Sequence, residues 1–376
     1  MTDRIIKRHL QTDIETWMNQ GKIIVIYGAR QVGKTTLSKR LAEKYDGVFL
    51  NCERVSVRDL LLSRNVPQFQ LTVGDSNCVI LDEAQKIRGI GEILKLFVDE
   101  IPNIQIIATG SSSFDLANET AEPLTGRKVT FTLYPISVTE AGFSPINFKE
   151  SLPDILRYGL YPDILTTRDE KRKRVLLDEL ASDYLYRDVL EYGHMKKPEL
   201  LMKLLKAIAL QLGSEVSLRE LATLLQTSGE TIDRYIHLLE QSFVIFRLPS
   251  FSRNLRKELA KKQKIYFFDL GIRNSLLQNF TPIDLRNDIG ALWENFFITE
   301  RMKHHQRTRE KVNMYFWRTY DQKEIDLIEE KDGEIVATEI KWNDRKKKKL
   351  PRDFLLAYPE SKTACVSPEN FMGFFS

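Results

Sequence analysis

Residues 28 to 35, Gly-Ala-Arg-Gln-Val-Gly-Lys-Thr, combine residue types and spacing in the way a phosphate-holding loop requires. In the pattern G-x-x-x-x-G-K-[ST], Gly28 and Gly33 let the backbone turn tightly enough for its N–H groups to surround a polyphosphate. Ala29, Arg30, Gln31 and Val32 form the body of that loop, and Thr36 follows it. Lys34 supplies a cation to the β- and γ-oxygens, and Thr35 offers a hydroxyl to Mg²⁺. The ligand expected from this chemistry is ATP with Mg²⁺.

Two adjacent carboxylates stand at the end of an apolar run, Cys78-Val-Ile-Leu-Asp-Glu83. Neighbouring acids at a strand end repel unless a cation sits by them, and Mg²⁺ answers that need. Asp82 is the expected metal-side acid, and Glu83 the group that orients and activates a water. A third apolar run, 104–113, ends in hydroxyls, so Thr109 or Ser111 could sense a γ-phosphate. Capping serines before Phe114-Asp-Leu are the competing explanation. Arg127 opens the next run, 124–135. It is a candidate arginine finger, in its own or a neighbouring subunit, or else a surface ion-pair partner.

A second set of chemical groups lies between 294 and 341. Asp332-Gly333 is a favoured two-residue hairpin turn between Lys323–Glu330 and Glu334–Trp342. Such a turn makes paired positions sum to 665, placing Asp326 opposite Glu339, Ile325 opposite Ile340 and Glu324 opposite Lys341. Opposed carboxylates weaken a sheet unless a divalent cation bridges them. Alternation puts Lys341 on the face of Glu339, and the helix from Leu292 could bring Glu294 to the same place. The expectation is a metal, Mg²⁺ or Mn²⁺, held by Glu294, Asp326 and Glu339 with Lys341 as the catalytic ammonium. A half-exposed hairpin with an ordinary Glu324–Lys341 ion pair is the alternative.

These groups must be positioned by elements. Lys22–Tyr27 reads as a buried strand and Thr36–Lys44 as a helix whose N-terminus faces the phosphates. Strands alternating with helices from 22 to 135 predict a parallel sheet with helices on both faces and ligand at the strands' carboxyl ends. Helical spacing dominates from 151 to 245. Within it, Ser217–Leu225, a turn at Thr227–Thr231 and a helix from Thr231 are followed by a strand, Phe243–Leu248, the order of a winged helix-turn-helix. As a DNA reader it would present Thr231, Arg234 and His237, although Glu230, Asp233 and Glu240 would repel phosphates. A packing module is the other reading.

Glu294, Asp326 and Glu339-x-Lys341 resemble, position by position, the core of the PD-(D/E)xK nuclease superfamily. The whole chain resembles a prokaryotic family of AAA+-like ATPases with an uncharacterised C-terminal region. That likeness rests on Gly28–Thr35, Leu81-Asp-Glu-Ala-Gln85, Thr109-Gly-Ser-Ser-Ser113, Leu124-Thr-Gly-Arg127, Tyr158-Gly-Leu-Tyr-Pro162, Lys264–Gly271 and the 294–341 region. It implies ATP binding and hydrolysis, a winged-helix middle and a restriction-endonuclease-like end that either cuts or only binds nucleic acid. The alternative function is a nucleotide-dependent switch or a DNA-binding regulator whose C-terminal domain is a non-cleaving interaction module. The expected fold is α/β, with an ATPase domain at 1–145, a helical and winged-helix domain at 146–255 and a nuclease-like domain at 256–376.

Composition sets the outer limits. A chain of 376 residues with 42% hydrophobic and 29% charged residues describes a globular protein with room for several cores. Net charge is only +4, but basic residues cluster at 171–174, 256–264 and 345–349. Such runs track a phosphate backbone or form solvated faces, and DNA is the favoured partner. Cys52, Cys78 and Cys365 are too few and too scattered for a disulfide framework or zinc site. Without a leader or a spanning apolar run, the expectation is a cytoplasmic protein with no membrane partner, compatible with a homo-oligomer.

Overall fold

The computed structural model of the protein describes residues 6–111, 124–183, 198–251, 263–319, 321–343 and 350–375. Two compact units emerge: one spans the described residues up to Ile136, the other nearly all of those from Ser137 onward.

The first unit is built on β1 (Ile23–Tyr27), β2 (Val48–Asn51), β3 (Cys78–Asp82), β4 (Gln105–Gly110) and β5 (Lys128–Thr132), in the order β2-β3-β4-β1-β5. All neighbouring pairs are parallel. Every residue of β1, β3 and β4 is buried, the signature of strands covered on both faces. Helix Ile90–Glu100 shows how its sequence meets this core: Ile90, Ile93, Leu94 and Phe97 form one buried stripe at helical spacing. Because β4 lies between β1 and β3, its carboxyl end falls between the ends of the phosphate-loop strand and the acidic strand.

In the second unit, helices Leu218–Leu224 and Gly229–Gln241 are joined by a short turn. Ser217 caps the first by accepting from Glu220 N–H. They are flanked by a three-stranded sheet of β6 (Glu215–Val216), β7 (Ile245–Pro249) and β8 (Gln263–Phe267), with β8 in the middle. Thus β7 and β8, on either side of residue 255, are antiparallel partners.

A four-stranded sheet completes the unit, made of β9 (Asn313–Arg318), β10 (Glu324–Lys331), β11 (Glu334–Ile340) and β12 (Lys362–Val366) in the order β12-β11-β10-β9. Asp332 and Gly333 both have positive φ, 50° and 86°, as a type I′ turn demands. Leu327–Lys331 pairs with Thr338–Glu334 in the expected register, each pair summing to 665. Phe251, Ile325, Ile328, Ile335, Ala337 and Phe354 form a core on this sheet. Helix Ile289–Thr308 carries Glu294.

A buried carboxylate locks two motifs of this unit together. Asp269 accepts Leu160 N–H at 2.7 Å and Gly271 N–H at 2.8 Å. A Cβ on Gly159 would lie 1.9 Å from Asp269 Oδ1, and one on Gly271 would lie 2.1 Å from Tyr158 O. Both positions therefore need glycine, and Tyr158–Pro162 and Lys264–Gly271 are read as one knot of packing. Burial pushes the Asp269 carboxyl up to about 6, against the backbone N–H groups and Lys303, which lower it.

Candidate nucleotide site and acidic centre

At the carboxyl ends of β1, β3 and β4 the expected residues converge. Lys34 is buried, and its Nζ donates to Gly28 O at 2.8 Å and Ala29 O at 2.7 Å. The loop turns tightly here because Gly28 lies against the residue that follows β5: a Cβ would stand 2.2 Å from Leu133 O. Gly33 has φ 97°, in the region that favours glycine, and begins helix Lys34–Lys44. That helix carries no acid in its first turn, so nothing there opposes an anion at its positive end.

Thr35 Oγ1 donates to Asp82 Oδ2 at 2.9 Å, and Thr109 Oγ1 donates to Asp82 Oδ1 at 2.6 Å. Glu83 N–H donates to the same Thr109 hydroxyl at 3.1 Å. Glu83 sits in the left-handed region at φ 55° and ψ 43°, which turns its side chain away from the line of β3. Gln85 Nε2 then bridges Glu83 Oε2 at 2.5 Å and Ser111 Oγ at 3.0 Å. Both strand-end hydroxyls, Thr109 and Ser111, are therefore engaged, each with a different carboxylate neighbourhood. The serines beyond Ser111 and the segment from Phe114 lie outside the described residues.

Two participants carry little sequence signal. Gln85 appears only as the tail of the Leu81–Gln85 motif. Arg8 is buried, and its guanidinium donates to Val32 O and to Tyr134 O, each at 2.6 Å. It ties the segment before β1 to the phosphate loop. A lone arginine ahead of a strand offers no pattern to read. Cys52 adjoins the acids through its N–H to Asp82 O at 2.9 Å. Burial, then Asp82 and Glu83, push its thiol up to about 12, so it stays a neutral core group.

Arg127 is not brought to this site. It precedes β5 at the level of Ile23, the amino end of the sheet, whereas the phosphate loop follows Tyr27 at the other end. The strands in between span roughly 15 Å. Its guanidinium pairs with Asp99, and both side chains are exposed. The expected reach to a γ-phosphate in its own subunit is therefore corrected, because parallel strand order places a residue entering β5 at the wrong end.

The donor set fits Mg²⁺: a hydroxyl, Thr35, and a buried carboxylate, Asp82, already stand within hydrogen-bond distance. Lys34 is cradled by the loop carbonyls of Gly28 and Ala29.

In matches to known families, residues 20–142 correspond to an AAA domain. This stretch matches an AAA domain and has the fold of a P-loop ATPase. Residues 149–282 and 289–371 match a Domain of unknown function (DUF8612) and a Domain of unknown function (DUF4143). A solved Walker-type ATPase of Pyrococcus abyssi superposes with a TM-score of 0.52 at 18% identity, covering 73% of this chain and 97% of that one. The likeness is one of fold. An uncharacterised protein of Mycobacterium tuberculosis is 26% identical over 90% of this chain and 74% of its own length. Another, of Methanocaldococcus jannaschii, is 27% identical over 78% of this chain and 73% of its own.

Beyond the AAA domain, in the second unit, the structure gathers an acidic centre. Oxygens of Glu294, Glu324 and Asp326 lie within 4.8 Å of one another. Lys341 Nζ bonds Asp326 Oδ2 at 2.8 Å and Glu339 Oε2 at 2.6 Å. Lys341 thus links Asp326 to Glu339, while the three carboxylates that gather are Glu294, Glu324 and Asp326, with Glu324 where Glu339 is expected. The register shifts between Ile325 and Ile328 on the β9 side, a bulge that re-aims the Asp326 region. Ile340 N–H donates to the Asp326 carboxylate at 2.7 Å.

The Glu324–Lys341 ion pair of the alternative reading is not among the pairs of the described residues. Glu324 pairs with Lys264 and, at 3.5 Å, with Arg318. Lys264, fully buried on β8, also donates to Glu294 Oε1 at 2.8 Å, and Tyr266 Oη donates to the same oxygen at 2.5 Å. Burial alone would lower the Lys264 ammonium, but Glu294 and Glu324 hold it above the usual lysine range. Burial raises the Glu294 carboxyl; Lys264 opposes that, and Asp326 reinforces it. Lys264 and Glu324 were missed as members because β8 is remote in sequence and Glu324 reads as a cross-strand partner. No helix among the described residues is long and apolar enough to cross a membrane.

Proposed function

We propose that the chain binds and hydrolyses ATP with Mg²⁺, and that this turnover governs how its C-terminal nuclease-like domain acts on DNA. The observation that carries the first half is the chain of contacts from Thr35 through Asp82 and Thr109 to Glu83. In this reading Thr35 and Asp82 hold Mg²⁺, which when bound neutralises phosphate charge. Lys34 and the loop N–H groups orient the triphosphate. Glu83 accepts the proton of the attacking water, and Ser111 faces the γ-phosphate side through Gln85. Arg127 keeps only the role of a finger in a neighbouring subunit of a homo-oligomer.

For the second half, support comes from two places. Helices Leu218–Leu224 and Gly229–Gln241 with the sheet β6-β8-β7 follow the order of a winged helix. On its second helix Arg234 and His237 are exposed, while two of the three acids that would repel DNA, Asp233 and Glu240, are ion-paired with Arg247. Of the three basic runs, Lys173 is tied to Asp154 and Arg174 to Glu170, whereas 256–262 and 345–349 lie outside the described residues.

The acidic centre admits two readings. One is metal-dependent cleavage with Glu294, Asp326 and Glu339 as ligands and Lys341 beside them. The other is a nuclease-shaped module that holds DNA without cutting it. Ion pairing of all four carboxylates with lysine favours the second. The deciding experiment is incubation of plasmid, linear and single-stranded DNA with Mg²⁺ or Mn²⁺, with and without ATP, comparing wild type and Lys341→Ala. Cutting that disappears in the variant establishes a nuclease. DNA retention without cutting, alongside ATP turnover, establishes the holding module. The absence of both cutting and retention refutes the DNA reading.

A further inference from the structure

Three carboxylates gathered in a partly buried space need a cation. Here the chain supplies one. Lys264 has no exposed surface; its Nζ bonds Glu294 Oε1 and Glu324 Oε1 and lies 5.5 Å from the centre of the Phe316 ring. Its backbone is fixed, because β8 is the middle strand of its sheet and pairs with β6 on one side and β7 on the other. An ammonium so held has no short path out to solvent.

One oxygen of Glu294 and one of Asp326 already accept two donors each. Glu294 Oε1 accepts both Lys264 Nζ and Tyr266 Oη. Asp326 Oδ2 accepts both Ile340 N–H and Lys341 Nζ. A carboxylate oxygen has about two lone-pair sites, so each of these two atoms is filled. A divalent ion would be left the second oxygens of these carboxylates and would have to share the space with a fixed positive charge bonded to Glu294 and Glu324. The residues present therefore do not fit a metal while Lys264 is in place.

We propose that Lys264 is the resident cation of this centre and stands in for the divalent metal. The inference rests on the reading of this centre as the functional site of the C-terminal domain. It assigns the difference between a cutting and a holding module to one side chain on β8. Removing that charge should open the centre to a metal.

The test is Mn²⁺ binding to the full chain without nucleotide, followed by the loss of the free-ion EPR signal, in wild type, Glu294→Gln, Lys264→Met and the double variant. The expected result is that wild type and Glu294→Gln bind Mn²⁺ alike. Lys264→Met should gain one ion, at least tenfold tighter, that is lost again in the double variant. Glu294-dependent Mn²⁺ binding by wild type overturns the proposal, as does a folded Lys264→Met that binds no more than wild type. Should Lys264→Met fail to fold, the comparison of wild type with Glu294→Gln decides alone. DNA retention by wild type in EDTA, measured in parallel, reports on the DNA assignment separately, so either can fail without the other.

Discussion

Thr109 and Asp82 meet across the tips of adjacent parallel strands, the hydroxyl donating to the carboxylate at 2.6 Å. The same hydroxyl accepts the Glu83 N–H, so one side chain sets the position of both acids. Thr109→Val keeps the shape and removes the hydroxyl. Turnover should fall about tenfold to a hundredfold, the usual effect of losing a group that orients a metal ligand. ATP affinity should change little. Steady-state kinetics with a parallel nucleotide-binding assay separate the two, and a loss confined to affinity would refute the positioning role.

Lys34→Ala should abolish ATP binding or turnover, because it removes the ammonium that the loop carbonyls of Gly28 and Ala29 hold. Glu83→Gln should still bind ATP while hydrolysis slows by about 10²–10⁴-fold, the range of a lost general base. Unchanged hydrolysis in Glu83→Gln would move the water-activating role to another group. Normal turnover in Lys34→Ala would remove the ATPase assignment itself.

Arg127 offers a test of assembly. Because it enters β5 at the end away from the phosphate loop, any catalytic contact must come from another subunit. If it acts so, turnover per subunit rises with protein concentration in wild type and stays flat in Arg127→Ala. A flat profile in both leaves Arg127 as the partner of Asp99 and nothing more.

The buried Asp269 carboxyl, pushed up to about 6, gives a pH signature. Its folded value lies above the unfolded one of about 3.9, so the protonated form is favoured by folding. This contribution is complete below about pH 4 and is lost as pH rises through about 6, amounting to up to about 3 kcal/mol. Relative to Asp269→Asn, wild type should therefore lose stability between pH 4 and 7. Urea unfolding of both proteins across that range measures it; a constant difference would mean that the carboxyl titrates as it does in the unfolded chain.

The nucleotide site was largely legible because its chemistry is local. Gly28–Thr35 and Asp82-Glu83 are contiguous, and strand–helix alternation puts each at a carboxyl end. Gln85 and Arg8 were not legible, since a single amide or guanidinium carries no period and acts through contacts that only the fold creates. In the acidic centre the Asp332-Gly333 turn fixed the register in advance. What local pairing could not foresee was Lys264, delivered by a strand of a different sheet. It takes Glu324 away from Lys341 and frees Lys341 for Asp326 and Glu339. The short strands β9 and β12 escaped notice because neither alternates cleanly between buried and exposed residues.

Strand β8 also governs how the protein can be divided. A fragment beginning after residue 255 would take β8 away from β7 and leave both with raw hydrogen-bonding edges, an invitation to self-association. One ending there would keep β6 and β7 without the strand that lies between them. The helix pair and the acidic centre therefore have to be inherited, expressed and lost together, and a partner gripping the helix pair pulls on the same strand that carries the buried ammonium.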